Sequence, residues 1–410
     1  MHKITFLFFL FIAYNNISYG FPACSANSIN DDDHIYDQFI SYDQNNVKQT
    51  NNNNKDHAGH IDHTNHINLE KLRDEKREIH RLEVEVNYHL EELRRKVERY
   101  DQQIKPNRQY RNNNIYPVVL LHGITSDQSE LRSVELWLKS NIPNQIFNID
   151  LGNGKLDSIF KSMNWQLNEL CMQIYNRQAL ANGFHFIGMS QGGLLARGYV
   201  EKCNKYPVIN LITWVSPHGG VFGLNNVDIN FKKIYTPTFQ SIYSFASYWK
   251  DPFRYNEYLN FSTYLADLNN EKYANKIKNL LEPDQQQSFF SFQTNRDNLL
   301  TLTNFVMIWS PNDDVISPPE SGKFSFYEIN TTVTNSQNTN QIYTIYEYNK
   351  TNLPVVDLFD SKQYRENWLG LRTLYETNRL HVFETDCTHS GHKTEACFPQ
   401  LEKLTLPFLI

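Results

Sequence analysis

Phe184-His185-Phe186-Ile187-Gly188-Met189-Ser190-Gln191-Gly192-Gly193 decides how the rest of this chain is read. A short apolar run ends at Gly188, and beyond it Leu194, Leu195, Tyr199 and Val200 recur at helical spacing. The pattern predicts a strand, a sharp turn and a helix. A serine at the tip of such a turn has a strained backbone, and side chains two positions to either side would collide, so Gly188 and Gly192 remove them. The hydroxyl is pushed clear of the sheet, and the helix start offers backbone donors and a positive dipole end to an anion forming beside it. Those are the needs of a nucleophile. The bland alternative is a glycine-rich strand-to-helix connection with an idle serine.

Upstream, Tyr116-Pro117-Val118-Val119-Leu120-Leu121-His122-Gly123 reads as a buried strand running into a tight turn. Ile159, Met163, Leu167, Leu170, Ile174 and Tyr175 predict a helix over Ser158 to Ala181, and Ile209 to Val215 is the next apolar run. Strand and helix alternate, which predicts an α/β fold with a mostly parallel sheet covered on its faces by helices. In an α/β hydrolase the residue after such a His-Gly contributes a backbone N–H to the oxyanion hole. Here that residue is Ile124, with Gln191 directly after the serine as the second donor. His122 comes before the serine and reads as structural. In this fold the acid follows the serine and the histidine comes last. Phe305 to Trp309 is a buried strand with Asp313 and Asp314 just beyond it, and Leu380 to Phe383 is the last strand, followed by His389 and His392.

Leu121-His122-Gly123, Gly188-Met189-Ser190-Gln191-Gly192-Gly193, Ile209-Asn210-Leu211-Ile212 and His218-Gly219-Gly220-Val221-Phe222-Gly223-Leu224 resemble the palmitoyl-protein thioesterases. So do Tyr248-Trp249-Lys250-Asp251-Pro252, Leu265-Ala266-Asp267-Leu268-Asn269 and the closing Leu406-Pro407-Phe408-Leu409. The resemblance runs from about Tyr116 to Ile410 and excludes everything before it. It implies an α/β hydrolase, lysosomal or secreted, that cleaves the thioester between a long fatty acyl chain and a cysteine or coenzyme A. It also implies that Cys171 pairs with Cys203. The family register, anchored on Ile316, Pro318 and Phe324-Ser325-Phe326-Tyr327, makes Asp313 the triad acid, with Asp314 the alternative. For the histidine, counting from the last strand favours His389, whereas Ser390-Gly391-His392 has the small residue that often precedes a catalytic histidine in related hydrolases. His218 falls between serine and aspartate, the wrong place for the base.

The chain has 410 residues, 40% hydrophobic and 14% aromatic, with a formal net charge of -6. That balance argues against a nucleic-acid binder. Residues 1–20 carry a short basic start, an apolar run from Ile4 to Tyr14 and small residues Ser18 and Gly20, which predicts a secretory signal peptide. Residues 21–66 are rich in Asn, Asp and His and read as disordered. His57, His60, His63 and His66 within that tract read as solvated rather than as a zinc or copper site, and neither a metal nor a cofactor is expected. Residues 67–105 predict a long amphipathic helix, with Leu72, Ile79, Val86, Leu93 and Tyr100 spaced by seven. It could self-associate, dock on the main domain or be a removable propeptide. The folded domain is expected over 113–410, with an aromatic-rich helical insertion at about 225–300. Phe231, Tyr235, Phe239, Ile242, Tyr243, Phe245, Tyr248, Trp249 and Phe253 there could line an acyl groove or simply pack lid helices.

Five cysteines fit an oxidising lumen. Cys171 and Cys203 flank the nucleophile turn, and Cys387 and Cys397 enclose the histidine-bearing loop. Disulfides along those pairings would leave Cys24 over; the alternative is five reduced cysteines. Sequons at Asn260, Asn330 and Asn349 are compatible with glycosylation. The expected activity is hydrolysis of long-chain acyl thioesters, from S-acylated proteins or peptides or from acyl-CoA, through an acyl-serine. A lipase or carboxylesterase of the same fold, and an inactive hydrolase-like binding protein, are the competing readings.

Overall fold

The computed structural model describes residues 115–223, 233–274, 293–329 and 353–410. The signal peptide, the 21–66 tract, the 67–105 helix, Cys24, Phe231, Asn330 and Asn349 lie outside the described residues, as does part of the insertion.

The apolar runs become β1 (Val118–Leu121), β2 (Ile146–Ile149), β3 (Phe184–Met189), β4 (Val208–Trp214) and β5 (Asn304–Trp309). β6 (Phe326–Tyr327), β7 (Val355–Val356) and β8 (Leu380–Glu384) follow. Six of them form one sheet in the order β2-β1-β3-β4-β5-β8. Every neighbouring pair in it is parallel, and β6 and β7 make a separate antiparallel pair. All four residues of β1 are buried, which explains a continuous apolar run rather than an alternating one: both sheet faces are covered.

The helices are α1 (Arg132–Asn141), α2 (Lys155–Phe160), α3 (Met163–Tyr175) and α4 (Gln191–Gly198), then α5 (Pro237–Ile242), α6 (Tyr255–Phe261), α7 (Leu265–Leu268) and α8 (Glu271–Ala274) in the insertion. α9 (Lys362–Arg365), α10 (Leu371–Glu376) and α11 (Phe398–Thr405) follow the insertion. Alternate residues of the central strands, Val118, Leu120, Ile187, Met189, Ile212 and Trp214, share a core with Val134 and Leu138 of α1 and Phe398 and Leu401 of α11. Each large apolar side chain buried there contributes about 1.5–3 kcal/mol. Among the described residues no helix is long and apolar enough to cross a membrane.

One predicted helix is two. Lys161, after α2, is extended, and Ser162 caps α3 by accepting from the Trp165 N–H at 3.3 Å. A side-chain oxygen that satisfies an orphan helix donor starts a new helix where hydrophobic spacing alone runs on. The insertion's aromatics are turned on one another. Tyr235, Tyr243, Phe245, Tyr248, Trp249 and Phe253 are buried, with ring centroids 4.5 Å apart for Phe239 and Tyr243 and 5.7 Å for Phe222 and Trp249. Ile242 is 39% exposed.

Cys171 in α3 is bonded to Cys203, at the end of the helical turn that continues α4, and Cys387 is bonded to Cys397 across the loop after β8.

Candidate active site

Ser190 sits between β3 and α4 with φ 55° and ψ -127°, a conformation that costs a non-glycine residue energy and persists only when its surroundings enforce it. Its N–H donates to the Trp214 carbonyl at 2.9 Å, and α4 begins with the next residue. The flanking glycines are there for close approach. A Cβ on Gly188 would lie 2.6 Å from the Gly192 carbonyl oxygen and from Gly193 Cα, and one on Gly192 would run into the carbonyls of Leu121 and His122. Gly123 is equally tight: its Cβ would lie 2.9 Å from Ser190 Cβ and 3.4 Å from Ser190 Oγ. The Gly123-Ile124 turn therefore lies against the serine.

Asp313 follows β5 and His389 follows β8. His389 Nδ1 and Asp313 Oδ2 are 2.8 Å apart, and both residues are buried. The other carboxylate oxygen, Oδ1, accepts from the Val315 and Ile316 N–H groups at 2.9 Å each, so the loop itself fixes the carboxylate. Asp314, next in sequence, is exposed. His392 is fully buried and turned elsewhere: Nδ1 donates to the Thr388 carbonyl at 2.9 Å, and Nε2 meets Thr385 Oγ1 at 2.9 Å. Burial holds its pKa below the usual histidine value. His218 is also buried, with Nε2 2.9 Å from Thr213 Oγ1 and its ring stacked on Phe324. Burial, aided by the Arg197 charge, keeps it well below its ordinary pKa.

The Gln191 side chain points away from the serine. Its Nε2 donates to the Ser158 carbonyl at 2.9 Å and to Gln166 Oε1 at 3.1 Å, while Tyr248 Oη donates to its Oε1 at 3.0 Å. The first turn of α4, which carries the Gln191 N–H, is thereby tied to α2, α3 and the insertion. His122 is held between two partners, Asp150 Oδ1 at 2.9 Å from Nε2 and the Gly123 carbonyl at 2.8 Å from Nδ1. Sequence reading did not single out Asp150 or the Gln191 amide. Asp150 stands directly after an apolar strand, where carboxylates of such sheets collect, and that is the signal that would have found it. Among the described residues no cluster of three His, Cys, Asp or Glu side chains could hold a metal ion, and the histidine tract at 57–66 lies outside them.

His122-Gly123-Ile124, Ser190, Asp313 and His389 follow the carboxyl ends of β1, β3, β5 and β8, so they share one edge of the parallel sheet, where ligands of open α/β sheets bind. A serine on a strained strand-to-helix turn, served by that edge and that strand order, defines an α/β hydrolase.

The family described as palmitoyl protein thioesterase matches residues 117–389. Palmitoyl-protein thioesterase 3 of Dictyostelium discoideum is 38% identical over 301 residues, covering 72% of this chain and 92% of that protein. Palmitoyl-protein thioesterase 1 of Caenorhabditis elegans is 29% identical over 292 residues, covering 67% and 86%. Among solved structures, a Bacillus licheniformis lipase, BlEst2, is 12% identical with a TM-score of 0.36, covering 73% of this chain and 94% of that one. The chain belongs to the palmitoyl protein thioesterase family, and it is a thioester hydrolase.

Proposed function

We propose that this enzyme removes long-chain, palmitoyl-type acyl groups from thioesters in two acyl-transfer steps carried by Ser190, His389 and Asp313. His389 Nε2 takes the Ser190 proton while Asp313 holds Nδ1, which fixes tautomer and ring orientation. Ser190 Oγ attacks the thioester carbonyl, and the N–H groups of Ile124 and Gln191 receive the developing oxyanion, each worth about 3 kcal/mol. The carbon–sulfur bond breaks, the thiolate leaves, and water, deprotonated by the same imidazole, releases the fatty acid from the acyl-serine. A thiol of pKa about 8.5 departs with little help, so the general acid has less to do than in amide cleavage.

The observation that carries this reading is the Asp313–His389 pair on two loops at the edge where Ser190 emerges. A long chain is selected over a short one because each buried methylene contributes about 0.8 kcal/mol. The acceptor is an S-acylated protein or peptide, or coenzyme A. Two disulfides and relatives named as lysosomal thioesterases support a place in the secretory pathway, in the lysosome or outside the cell. Asn260 is exposed at the end of α6 and available for glycosylation. Self-association through 67–105 belongs to the same proposal.

The test is turnover of matched palmitoyl thioester and oxygen-ester substrates by the parent and Ser190→Ala, followed by acyl-chain-length profiling. Thioester hydrolysis that rises with chain length and vanishes in Ser190→Ala is expected. Equal turnover by both proteins would overturn the assignment.

A further inference from the structure

β1 and β2 are neighbours in register, Leu121 opposite Ile149, so the residues that follow them, His122 and Asp150, emerge side by side. Their side chains meet, Nε2 to Oδ1 at 2.9 Å, and Asp150 Oδ1 is itself fixed by the Leu151 N–H at 3.2 Å. The opposite ring nitrogen, Nδ1, lies 2.8 Å from the Gly123 carbonyl oxygen. A carbonyl and a carboxylate both only accept, so Nδ1 and Nε2 each carry a hydrogen and donate it, and the ring pairs with Asp150 as an imidazolium. Asp150, His122 and the Gly123 carbonyl thus form a line of hydrogen bonds ending one residue from Ile124; His122 is buried, and Asp150 is partly exposed at the outer end.

The Gly123 C=O and the Ile124 N–H belong to one planar trans peptide unit and point in opposite directions. Whatever grips the carbonyl therefore aims the N–H. The same turn touches the nucleophile, since a Cβ on Gly123 would come within 2.9 Å of Ser190 Cβ. We propose that His122, oriented by Asp150, is a positioning residue: by holding the Gly123 carbonyl it sets the direction of the Ile124 N–H at the oxyanion. A hydrogen bond to that carbonyl also polarises the peptide and strengthens its N–H as a donor. The proposal rests on the reading of Ile124 as an oxyanion donor. The contribution would appear only as negative charge builds on the acyl oxygen, so it belongs to the transition state and not to substrate binding.

His122→Phe keeps a ring and removes both hydrogen bonds, His122→Asn restores a donor near the Gly123 carbonyl, and Asp150→Asn weakens the grip on the imidazole. The readouts are kcat and KM on a palmitoyl thioester, affinity for a long-chain trifluoromethyl ketone, which forms a tetrahedral anion on the serine, and the thermal midpoint. His122→Phe should lower kcat by about 30- to 100-fold with KM within about twofold, and weaken the ketone by a similar factor. His122→Asn should recover most of that loss, and Asp150→Asn should fall between. If His122→Phe does not fold, the other two variants decide on the same readouts.

A folded His122→Phe with parent kcat, or a change confined to KM or to the thermal midpoint, would overturn the positioning role and leave the hydrolase reading standing. A parent inert toward thioesters would overturn that reading instead. The same variants, scored by the rate at which a fluorophosphonate labels Ser190, would then still decide the role of His122.

Discussion

Asp313 presents Oδ2 to His389 Nδ1 at 2.8 Å, joining loops separated by 76 residues of chain. Two backbone N–H groups hold the other oxygen, so the carboxylate cannot turn without losing three hydrogen bonds. Replacing it by an amide puts an N–H donor or a poorer acceptor against Nδ1 and favours the wrong tautomer. Asp313→Asn should lower kcat by about 10³- to 10⁴-fold in protein that remains folded. Asp314→Asn, on the exposed neighbour, should stay within about twofold. A steady-state comparison of the two variants checks this, and a reversed ranking would move the acid to Asp314.

The two histidines of the last loop should separate stability from catalysis. His392 spends both ring nitrogens inside the protein, so His392→Ala removes one hydrogen bond each from Thr385 Oγ1 and the Thr388 carbonyl, which keep the Trp309 carbonyl and the Gly391 N–H, and opens a cavity, a cost of about 2–4 kcal/mol. Its folded fraction should retain kcat within about tenfold. His389→Ala should do the opposite, losing about 10³-fold or more in kcat at little cost in stability. Denaturant titrations beside kcat measurements resolve the two. If His392→Ala were the catalytically dead variant, the base would have been assigned to the wrong ring.

What could be read in the chain and what could not follows the distance over which each feature is encoded. Gly188, Ser190 and Gly192 are local, and the reason for each glycine, the backbone atoms that occupy the place of its missing side chain, acts within a few residues or against the next strand. The sequence leaves His389 and His392 as alternatives because both lie on one short loop; which ring that loop turns toward Asp313 has no periodicity to announce it, and in the structure it is His389. Asp150 went unnoticed for a related reason: its link to His122 arises from the pairing of β1 with β2, which no local pattern encodes. The break at Lys161 and Ser162 was hidden because apolar spacing continues across it, and the capping serine is one polar residue among many. The insertion's aromatics left two readings because a ring that packs a lid and a ring that lines a groove have the same composition.

The two disulfides should behave differently when removed. Cys387–Cys397 closes a loop with a sequence separation of 10 that contains His389; Cys171–Cys203 closes one of 32 and braces the helices behind the elbow. Chain-entropy reasoning gives about 3 kcal/mol for the short loop and nearly 4 for the long one. Cys171→Ser with Cys203→Ser should therefore cost stability while kcat per folded molecule stays close to the parent's. Cys387→Ser with Cys397→Ser should cost a similar amount and also lower kcat, by about tenfold, because the imidazole loses the closure that holds its loop. Activity normalised to folded protein distinguishes the cases, and equal kcat in both double variants would show that the loop needs no staple.

Acid should weaken the fold through histidines buried in their neutral form, and His185 is the sharpest instance. It lies on β3, is 5% exposed and accepts from Asn210 Nδ2 at Nδ1, 3.2 Å away; burial pushes its pKa down from 6.5 to about 4. Between those values the unfolded chain takes up a proton that the folded chain refuses. The contribution to stability is therefore complete above pH 6.5 and is lost as pH falls toward 4. At about 1.4 kcal/mol per unit, a span from 6.5 to 4.5 removes about 2–3 kcal/mol. His218 and His392, lowered by the same cause, act in the same direction. His185→Gln, which cannot take up a proton, should flatten the dependence: unfolding free energies at pH 7 and 4.5 should differ by about 2 kcal/mol less than in the parent. His185 stands near the start of β3, five residues before Ser190, so kcat per folded molecule should not follow it. Identical pH slopes in parent and variant would mean that the ring is already protonated in the folded protein, and that Asn210 turns its carbonyl oxygen toward it.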